Sequence, residues 1–147
     1  MQIRVALSAD VAVIFDLVQR AYGIYIERIG CRPAPMDDDY AEKIHQSHVF
    51  VAEDARVVGL IVLIPTPAYL LIENVAVDPD RQGEGIGRAL LDYAETFART
   101  AGIPELRLYT NAAMTENLDL YTRLGWREHD RRRDGDFFRV YFRKSIA

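Results

Sequence analysis

The sequence is poor in the residues from which metal centres and disulfide frameworks are built. Its 147 residues include one cysteine, Cys31, and three histidines. A single cysteine excludes an internal disulfide, and so few histidines argue against a dedicated metal enzyme. No apolar run reaches the roughly 18 residues of a membrane span, and residues 1–4 lack the apolar stretch of a secretory signal. We therefore expect a cytoplasmic protein with no metal and no membrane partner.

The chain also lacks the excess of positive charge that general nucleic-acid binding requires. Its net charge is −4, whereas binding to nucleic acid depends on neutralising phosphates. The charge is uneven, because residues 127–147 contain seven Lys or Arg and four Asp or Glu. Three of these are the consecutive arginines 131–133. We interpret them as the solvated face of a hairpin and expect no nucleic-acid partner.

Length and apolar patterning together predict a single α/β domain over residues 1–147. Five strands are predicted at 3–7, 49–53, 57–64, 69–77 and 106–109, followed by a hairpin that begins at Trp126 and turns at Asp134-Gly135. Four helices are predicted: one capped by Ser8 or Asp10, a short one from residue 37 to about 45, one that follows the loop 82–87 and runs to about residue 100, and one capped by Thr115 or Asn117 that runs to Leu124. Segment 23–35 is predicted to be irregular. The order β-α-α-β-β-β-α-β-α-β-β predicts a mixed sheet in a three-layer α/β/α arrangement.

The most informative segment runs from Val75 to Arg88, where a strand ends and a helix begins. Gly83, Gly85 and Gly87 fall within five residues of one another. Glycine lets backbone N–H groups turn toward a ligand, and the first turn of a helix adds free donors. The segment is thus either an anion-binding loop or a tight strand-to-helix connection. It fits neither the P-loop nor the dinucleotide fingerprint, because Arg88 stands where those motifs need lysine and glycine.

Within this segment, Gln82–Gly87 follows the pattern Arg/Gln-x-x-Gly-x-Gly/Ala after a predicted central strand. In this pattern, and in the later segment from Asn117 through Tyr121 to Trp126, the chain resembles the GNAT superfamily of acyl-CoA-dependent N-acyltransferases. The resemblance covers nearly the whole sequence. It implies a mostly antiparallel sheet whose strands splay apart after the loop, acetyl-CoA as co-substrate, and a primary amine of a small molecule, peptide or protein as acceptor. It is also compatible with a homodimer.

By this resemblance, the co-substrate lies between the central strand and the glycine-rich loop. Loop N–H groups would hold the pyrophosphate, and the strand backbone would pair with the pantetheine arm as an added strand. Asn117 would hydrogen-bond that arm, a role that can coexist with a helix cap. The implied cofactor-binding residues are Val75, Ala76, Val77, Gln82, Gly83, Glu84, Gly85, Ile86, Gly87, Arg88, Asn117 and Tyr121.

Two side chains are candidates for catalysis. Tyr121 matches the general-acid tyrosine of the family, and its alternative is a core tyrosine on an apolar helix. Because a phenol is a weaker acid than a thiol, we expect Tyr121 to act chiefly as a hydrogen-bond donor. Glu73 interrupts an apolar strand and is either the general base or half of an ion pair with an arginine. Ordered water is the alternative base, and the backbone N–H of Val75 is the expected oxyanion donor.

The acceptor pocket is expected to form from the segment after the first helix and from the end of the strand near residue 109. The candidate substrate-binding residues are Tyr22, Tyr25, Arg28, Met36, Tyr40, Glu73, Tyr109 and Asn111. Ordinary aromatic packing is the alternative for each of them. The leading hypothesis is an N-acetyltransferase that transfers the acetyl group directly. Its alternative is an inactive acyl-CoA-binding regulatory module.

Overall fold

The computed structural model describes residues 1–146. Its strands are β1 (Gln2–Val5), β2 (Val49–Asp54), β3 (Arg56–Pro65), β4 (Leu70–Val77), β5 (Glu105–Asn111), β6 (Arg127–Asp134) and β7 (Phe137–Ser145). They form one sheet in the order β1-β2-β3-β4-β5-β7-β6. The pair β4–β5 is parallel, and the other neighbouring pairs are antiparallel. The mixed sheet predicted from the element order, and the mostly antiparallel pairing implied by the resemblance, are therefore confirmed.

Helices cover both faces of this sheet. They are α1 (Val11–Gly23), α2 (Ile26–Ile29), α3 (Tyr40–His45), α4 (Ile86–Ala101) and α5 (Thr115–Arg123), with short 3-10 turns at Ser8–Asp10, Ala34–Asp37 and Pro79–Arg81. Side chains of α1 and α3 pack against one face, and those of α4 and α5 pack against the other. Within residues 1–146, no helix has the length and apolar character needed to cross a membrane.

The spacing of apolar residues explains which side each helix buries. On α4 the buried residues recur at helical spacing and are Ile86, Leu90, Leu91, Ala94 and Ala98. On α1 the buried residues are Ile14, Leu17 and Val18. Strands β3 and β4 lie between these two layers, which accounts for their near-continuous apolar sequence.

A glycine in β3 allows α4 to pack closely against the sheet. A Cβ at Gly59 would lie 3.0 Å from Cγ2 of Ile86, 3.1 Å from the carbonyl oxygen of Ala76 and 3.2 Å from Cδ1 of Leu90. Any larger residue would push the first turn of α4 away from β3. Gly59 therefore helps to fix the position at which the glycine-rich loop becomes a helix.

Several local predictions are wrong. Segment 23–35 was expected to be irregular but contains α2. The N-cap of α5 is Met114, and no side chain caps this helix, so neither Thr115 nor Asn117 has that role. The last hairpin begins at Arg127, and its two-residue loop is 135–136. These errors concern single turns and element ends, which local sequence patterns define poorly.

Candidate active site

The parallel strands at the centre of the sheet pair over a short distance and then separate. Leu70–Ile72 of β4 pairs with Leu106–Leu108 of β5, whereas β4 stays paired with β3 as far as Val77. From Glu73 onward, the edge of β4 that faces β5 has no strand partner in the described part of the chain. A gap therefore opens in the middle of the sheet, at the position where the family resemblance implies a splayed slot.

A β-bulge marks the point of separation. Val62 of β3 pairs with Asn74 and Leu63 pairs with Ile72, so Glu73 is the extra residue of β4. Glu73 forms an ion pair with Lys43 of α3, and the next side chain, Asn74, also contacts the α1–α3 layer. The bulge thus directs two consecutive polar side chains to one face of the sheet. The ion-pair partner of Glu73 is a lysine, and the arginine partner considered from the sequence is wrong.

Asn74 lies at the centre of a buried hydrogen-bond network. The Tyr22 hydroxyl donates to Oδ1 of Asn74 at 2.5 Å and lies 3.1 Å from the carbonyl oxygen of Val75. Nδ2 of Asn74 donates to the Tyr40 hydroxyl at 2.9 Å, and Tyr40 donates to the carbonyl oxygen of Pro35 at 2.6 Å. Because a buried amide is costly unless its polar atoms are paired, this network holds α1, α3 and β4 in fixed relative positions.

The contact from Tyr22 shows which way the unpaired edge of β4 faces. In an extended strand, the N–H and C=O groups of one residue point to the same side. The Val75 carbonyl points to Tyr22 and away from β3, so the Val75 N–H also faces the gap. The Val77 carbonyl lies 3.5 Å from Nε2 of Gln82 on that side. Alternate residues of β4 thus direct backbone donors and acceptors into the gap, where an added strand could pair with them.

A cavity of about 250 Å³ lies at the gap. Its wall brings together residues of the predicted site from α1, β4, β5 and α5, and these are Tyr22, Glu73, Val75, Tyr109, Asn111, Asn117 and Tyr121. Three charged side chains, Asp38, Glu73 and Arg139, belong to the same wall. The sheet gap is therefore a pocket in which backbone amides, phenols and charged groups meet.

Four predicted acceptor residues lie outside this wall. Met36 and Tyr40 are each 3% exposed and pack in the core beneath α1. Tyr25 and Arg28 lie at α2, where the Arg28 guanidinium stacks 5.1 Å from the ring centre of Tyr25. Nη1 of Arg28 contacts the Glu116 carboxylate of α5 at 2.6 Å. Tyr25 and Arg28 therefore connect two elements that border the cavity, without lining it themselves.

Tyr121 is buried and oriented by aromatic contacts. Its ring centre lies 5.9 Å from that of Trp126 and 5.8 Å from that of Phe142. Burial raises the pKa of Tyr121 to about 12. Among residues 1–146 no hydrogen bond engages its hydroxyl group, and the side chain lines the cavity. Tyr121 thus presents a neutral phenol whose proton is available to a ligand.

The glycine-rich loop presents backbone donors that remain unused within residues 1–146. The first hydrogen bond of α4 runs from the Ala89 N–H to the carbonyl of Gly85 at 3.0 Å, so the N–H groups of residues 82–88 have no backbone acceptor there. Gly83 and Gly85 have φ values of 81° and 82°, the left-handed region that favours glycine. A Cβ at either position would meet nothing within 4 Å. These open donors, at the positive end of the α4 dipole, fit a pyrophosphate group.

A buried carboxylate anchors the start of this loop. The side chain of Asp78 is 1% exposed and accepts from Nη1 of Arg20 at 3.0 Å and from the backbone N–H of Asp80 at 2.9 Å. Arg56 of β3 lies 3.4 Å away. The hydrogen bond from Arg20 is the main reason why the pKa of Asp78 lies below its usual value. The loop is therefore tied to α1 and β3 at the end where it leaves β4.

Sequence reasoning missed three residues of the site. Asn74 follows Glu73 directly in an apolar strand, and that adjacency of two polar residues was the signal that could have found it. Asp38 lines the cavity, and burial raises the pKa of its carboxyl group, but nothing distinguishes it within a run of three aspartates. Arg139 reaches the wall because β7 lies beside β5, a pairing that no local pattern reveals.

Comparison with solved structures identifies the fold. The chain matches the crystal structure of the PaiA N-acetyltransferase from Thermoplasma acidophilum in complex with coenzyme A with a TM-score of 0.79, at 19% identity over 95% of this chain and 96% of that one. It matches the ribosomal-protein-S18-alanine N-acetyltransferase from Escherichia coli with a TM-score of 0.76, at 22% identity over 99% of this chain and 94% of that one. The split sheet is thus the fold of N-acetyltransferases.

Sequence comparison identifies the family. Residues 45–128 match the acetyltransferase (GNAT) domain. N-acetyltransferase family 8 member 3 of Rattus norvegicus is 31% identical over 104 residues, 66% of this chain and 43% of the relative. Mycothiol acetyltransferase of Jonesia denitrificans is 39% identical over 83 residues, 55% of this chain and 26% of the relative. The match thus spans less than half the length of these curated relatives. The chain belongs to the GNAT acetyltransferase family, whose members use acetyl-CoA.

Proposed function

We propose that this chain transfers an acetyl group from acetyl-CoA directly to a primary amine of a small molecule or peptide. The proposal depends on one observation, the meeting of Tyr121 and the Val75 peptide at a cavity beside the open loop donors. Acetyl-CoA, when bound, supplies an activated thioester. Residues 82–88 would hold its pyrophosphate, and the edge of β4 at Val75 and Val77, with Asn117 nearby, would hold its pantetheine arm.

The transfer requires that the amine lose a proton and that the departing sulfur be stabilised. The N–C bond forms as the C–S bond breaks, and a free alkylamine with a pKa near 10.4 is mostly protonated at neutral pH. The Val75 N–H faces the gap, where it can donate to the thioester oxygen as that oxygen gains negative charge. The free hydroxyl of Tyr121 can donate to the sulfur.

The pKa of Tyr121 decides whether its hydroxyl transfers a proton to the departing sulfur or only donates a hydrogen bond to it. At a pKa of about 12, its phenol is a much weaker acid than a thiol near 8.5. Complete proton transfer from Tyr121 to a thiolate is therefore uphill by about 5 kcal/mol. We infer that Tyr121 stabilises the thiolate by a hydrogen bond, and that the thiolate takes its proton from solvent after release.

Glu73 is the proposed base for the amine. Lys43 contacts Oε1 of Glu73, so Oε2 is the atom that remains to accept the amine proton. The side chain is 20% exposed and lines the cavity, which lets the proton pass from the carboxyl group to solvent. This arrangement keeps the carboxylate in place while one oxygen stays available.

Replacing Glu73 with glutamine is expected to lower kcat/KM for the amine by at least about tenfold and to change the pH–rate profile, because the carboxylate proposed to accept the amine proton is lost. Lys43→Met is the matched variant, since it breaks the same ion pair but keeps the carboxylate, and it should retain much more activity. Equal losses in the two variants would assign Glu73 to a structural ion pair. A profile that Glu73→Gln leaves unmoved would favour ordered water as the base.

An acetyl-CoA consumption screen tests the proposed function as a whole. The panel holds amino acids, polyamines, aminoglycosides and N-terminal peptides, and release of free thiol reports turnover. At least one acceptor should be acetylated, and acetyl-CoA should raise the Tm more than equal concentrations of ATP or NAD. Binding of acetyl-CoA without turnover of any acceptor would instead support the inactive regulatory module.

A further inference from the structure

One arginine of the cavity wall is held in a fixed orientation by its neighbours. The guanidinium of Arg139 lies 4.5 Å from the ring centre of Tyr109 and 5.1 Å from that of Phe137. Its Nη1 donates to Oδ2 of Asp134 at 2.9 Å, and its side chain is 17% exposed. Among residues 1–146 no hydrogen bond uses its Nε or Nη2. The stacked rings and Asp134 thus fix the plane of a guanidinium that keeps donors for a ligand.

The same cavity has a negatively charged end. Glu73 and Asp38 both line it, and Lys43 pairs with Glu73. No hydrogen bond engages the Asp38 carboxylate in the described part of the chain, so this end carries one carboxylate without a direct partner. A protonated amine entering the cavity finds its complementary charge here, before the base takes its proton.

The sheet order sets the separation of the two ends. Glu73 lies on β4 and Arg139 on β7, with β5 between them. Two strand spacings place the backbones about 10 Å apart or slightly more where the strands splay, and both side chains line the cavity. An acceptor that touches both ends therefore needs a short separation between its two charged groups.

We propose that the acceptor is a small zwitterionic amine of the amino-acid type, with its amine at Glu73 and Asp38 and its carboxylate on Arg139. This inference rests on the proposed acetyl transfer and deepens it. The cavity of about 250 Å³ also includes the place proposed for the thioester, so the room that remains suits only a small acceptor. A polyamine or an aminoglycoside would place a second cation against Arg139, which disfavours these acceptors by charge repulsion. Arg139 is then a specificity residue that binds the carboxylate of the acceptor.

Matched acceptor pairs test this assignment. Each pair joins an amino acid to the amine that lacks its carboxylate, such as phenylalanine with phenethylamine and γ-aminobutyrate with propylamine, and kcat/KM is measured at saturating acetyl-CoA. The wild type should prefer the carboxylate-bearing member of at least one pair by about tenfold or more, the discrimination expected of a charged hydrogen bond. Arg139→Gln should bring that ratio close to one, and Arg139→Lys should give an intermediate ratio because it keeps the charge but loses the planar fork.

Arg132→Gln is the matched control from the same hairpin. Arg132 stacks 4.1 Å from the ring centre of Tyr141, and its side chain is 55% exposed and outside the cavity wall. This variant should keep the wild-type ratio. A merely structural role for Arg139 would lower the Tm and slow both members of each pair equally, which leaves the ratio unchanged.

Three outcomes would overturn the inference. A wild-type preference for amines without a carboxylate, a ratio that Arg139→Gln does not change, or turnover of peptide N-termini alone would each do so while leaving acetyl transfer intact. If acetyl-CoA binds and no amine of any class is acetylated, the proposed function itself fails and the zwitterionic acceptor fails with it.

Discussion

Replacing Tyr121 with phenylalanine is expected to lower kcat by about two orders of magnitude, the loss typical of removing one positioned hydrogen-bond donor to a developing negative charge. The phenyl ring keeps its contacts with Trp126 and Phe142, so the fold and the KM for acetyl-CoA should change little. The lost group is a hydroxyl that has no other hydrogen-bond partner within residues 1–146. Steady-state kinetics over a range of acetyl-CoA concentrations measure kcat and KM separately.

The pH dependence of the same variant is a second measurement. Because burial raises the pKa of Tyr121 to about 12, from a usual value near 10, its phenol stays neutral at any pH below about 11. The wild-type and Tyr121→Phe profiles should therefore run parallel between about pH 6 and pH 10. An alkaline limb near pH 10 in the wild type alone would contradict the assignment, and unchanged turnover in the variant would remove Tyr121 from the mechanism.

A tyrosine elsewhere in the same core layer supplies the control for this experiment. Tyr93 on α4 packs with its ring centre 5.3 Å from that of Phe50 and lies outside the cavity wall. Tyr93→Phe removes the same hydroxyl from the same core layer. Its kcat should stay near the wild-type value, because the removed group faces no reacting atom.

Replacing Asp78 with asparagine is expected to destabilise the protein by about 2 kcal/mol at neutral pH, which lowers the Tm by about 6 °C. The change leaves the guanidinium of Arg20 beside a neutral amide in a position where the carboxylate was 1% exposed. The loss is smaller than that of breaking a fully buried pair because Arg20 is 40% exposed and water screens its charge. Since Asp78 ties the glycine-rich loop to the core, the KM for acetyl-CoA should also rise.

Acid should remove this difference between wild type and variant. The hydrogen bond from Arg20 lowers the pKa of Asp78 in the folded state, so its stabilising contribution is complete above the unfolded value near 3.9 and is lost as the pH falls through the lower folded value. Thermal unfolding between about pH 7 and pH 2 measures the difference. Asp80→Ala is the control, because the exposed side chain of Asp80 makes no hydrogen bond within residues 1–146. A constant gap in Tm down to the lowest pH would contradict the electrostatic explanation.

The sequence was sufficient for the fold because most elements carry a strong local pattern. The buried stripe of α4 recurs at helical spacing, β3 is an apolar run, and β4 is an apolar run interrupted only by Glu73 and Asn74. The glycine-rich loop could be predicted because the spacing of its glycines along the chain is itself the signal. What such patterns define poorly is the single turn of α2 and the first residue of α5.

The residues of the acceptor pocket were harder to predict, because they come together through contacts between segments that are distant in the sequence. Tyr22 and Tyr40 look alike in the sequence, yet one lines the cavity and the other is in the core, because the Asn74 network places them at different depths. Arg139 joins the wall through the pairing of β7 with β5. The partner of Glu73 is Lys43, thirty residues earlier in the chain, and no periodicity within either segment indicates that contact.

The bulge at Glu73 makes the number of residues in β4 as important as their identity. Before it, the side chains that face α4 have even numbers, as for Leu70 and Ile72, and after it they have odd numbers, as for Val75 and Val77. Deleting Glu73 would make Ile72 and Asn74 neighbours that pair with Leu63 and Val62 in regular alternation, so Val75 and Val77 would keep their faces. The deletion would remove the bulge itself, and with it the extra residue at the point where β4 leaves β5. A change of length here should therefore affect the opening of the gap more than the packing of the side chains that follow it.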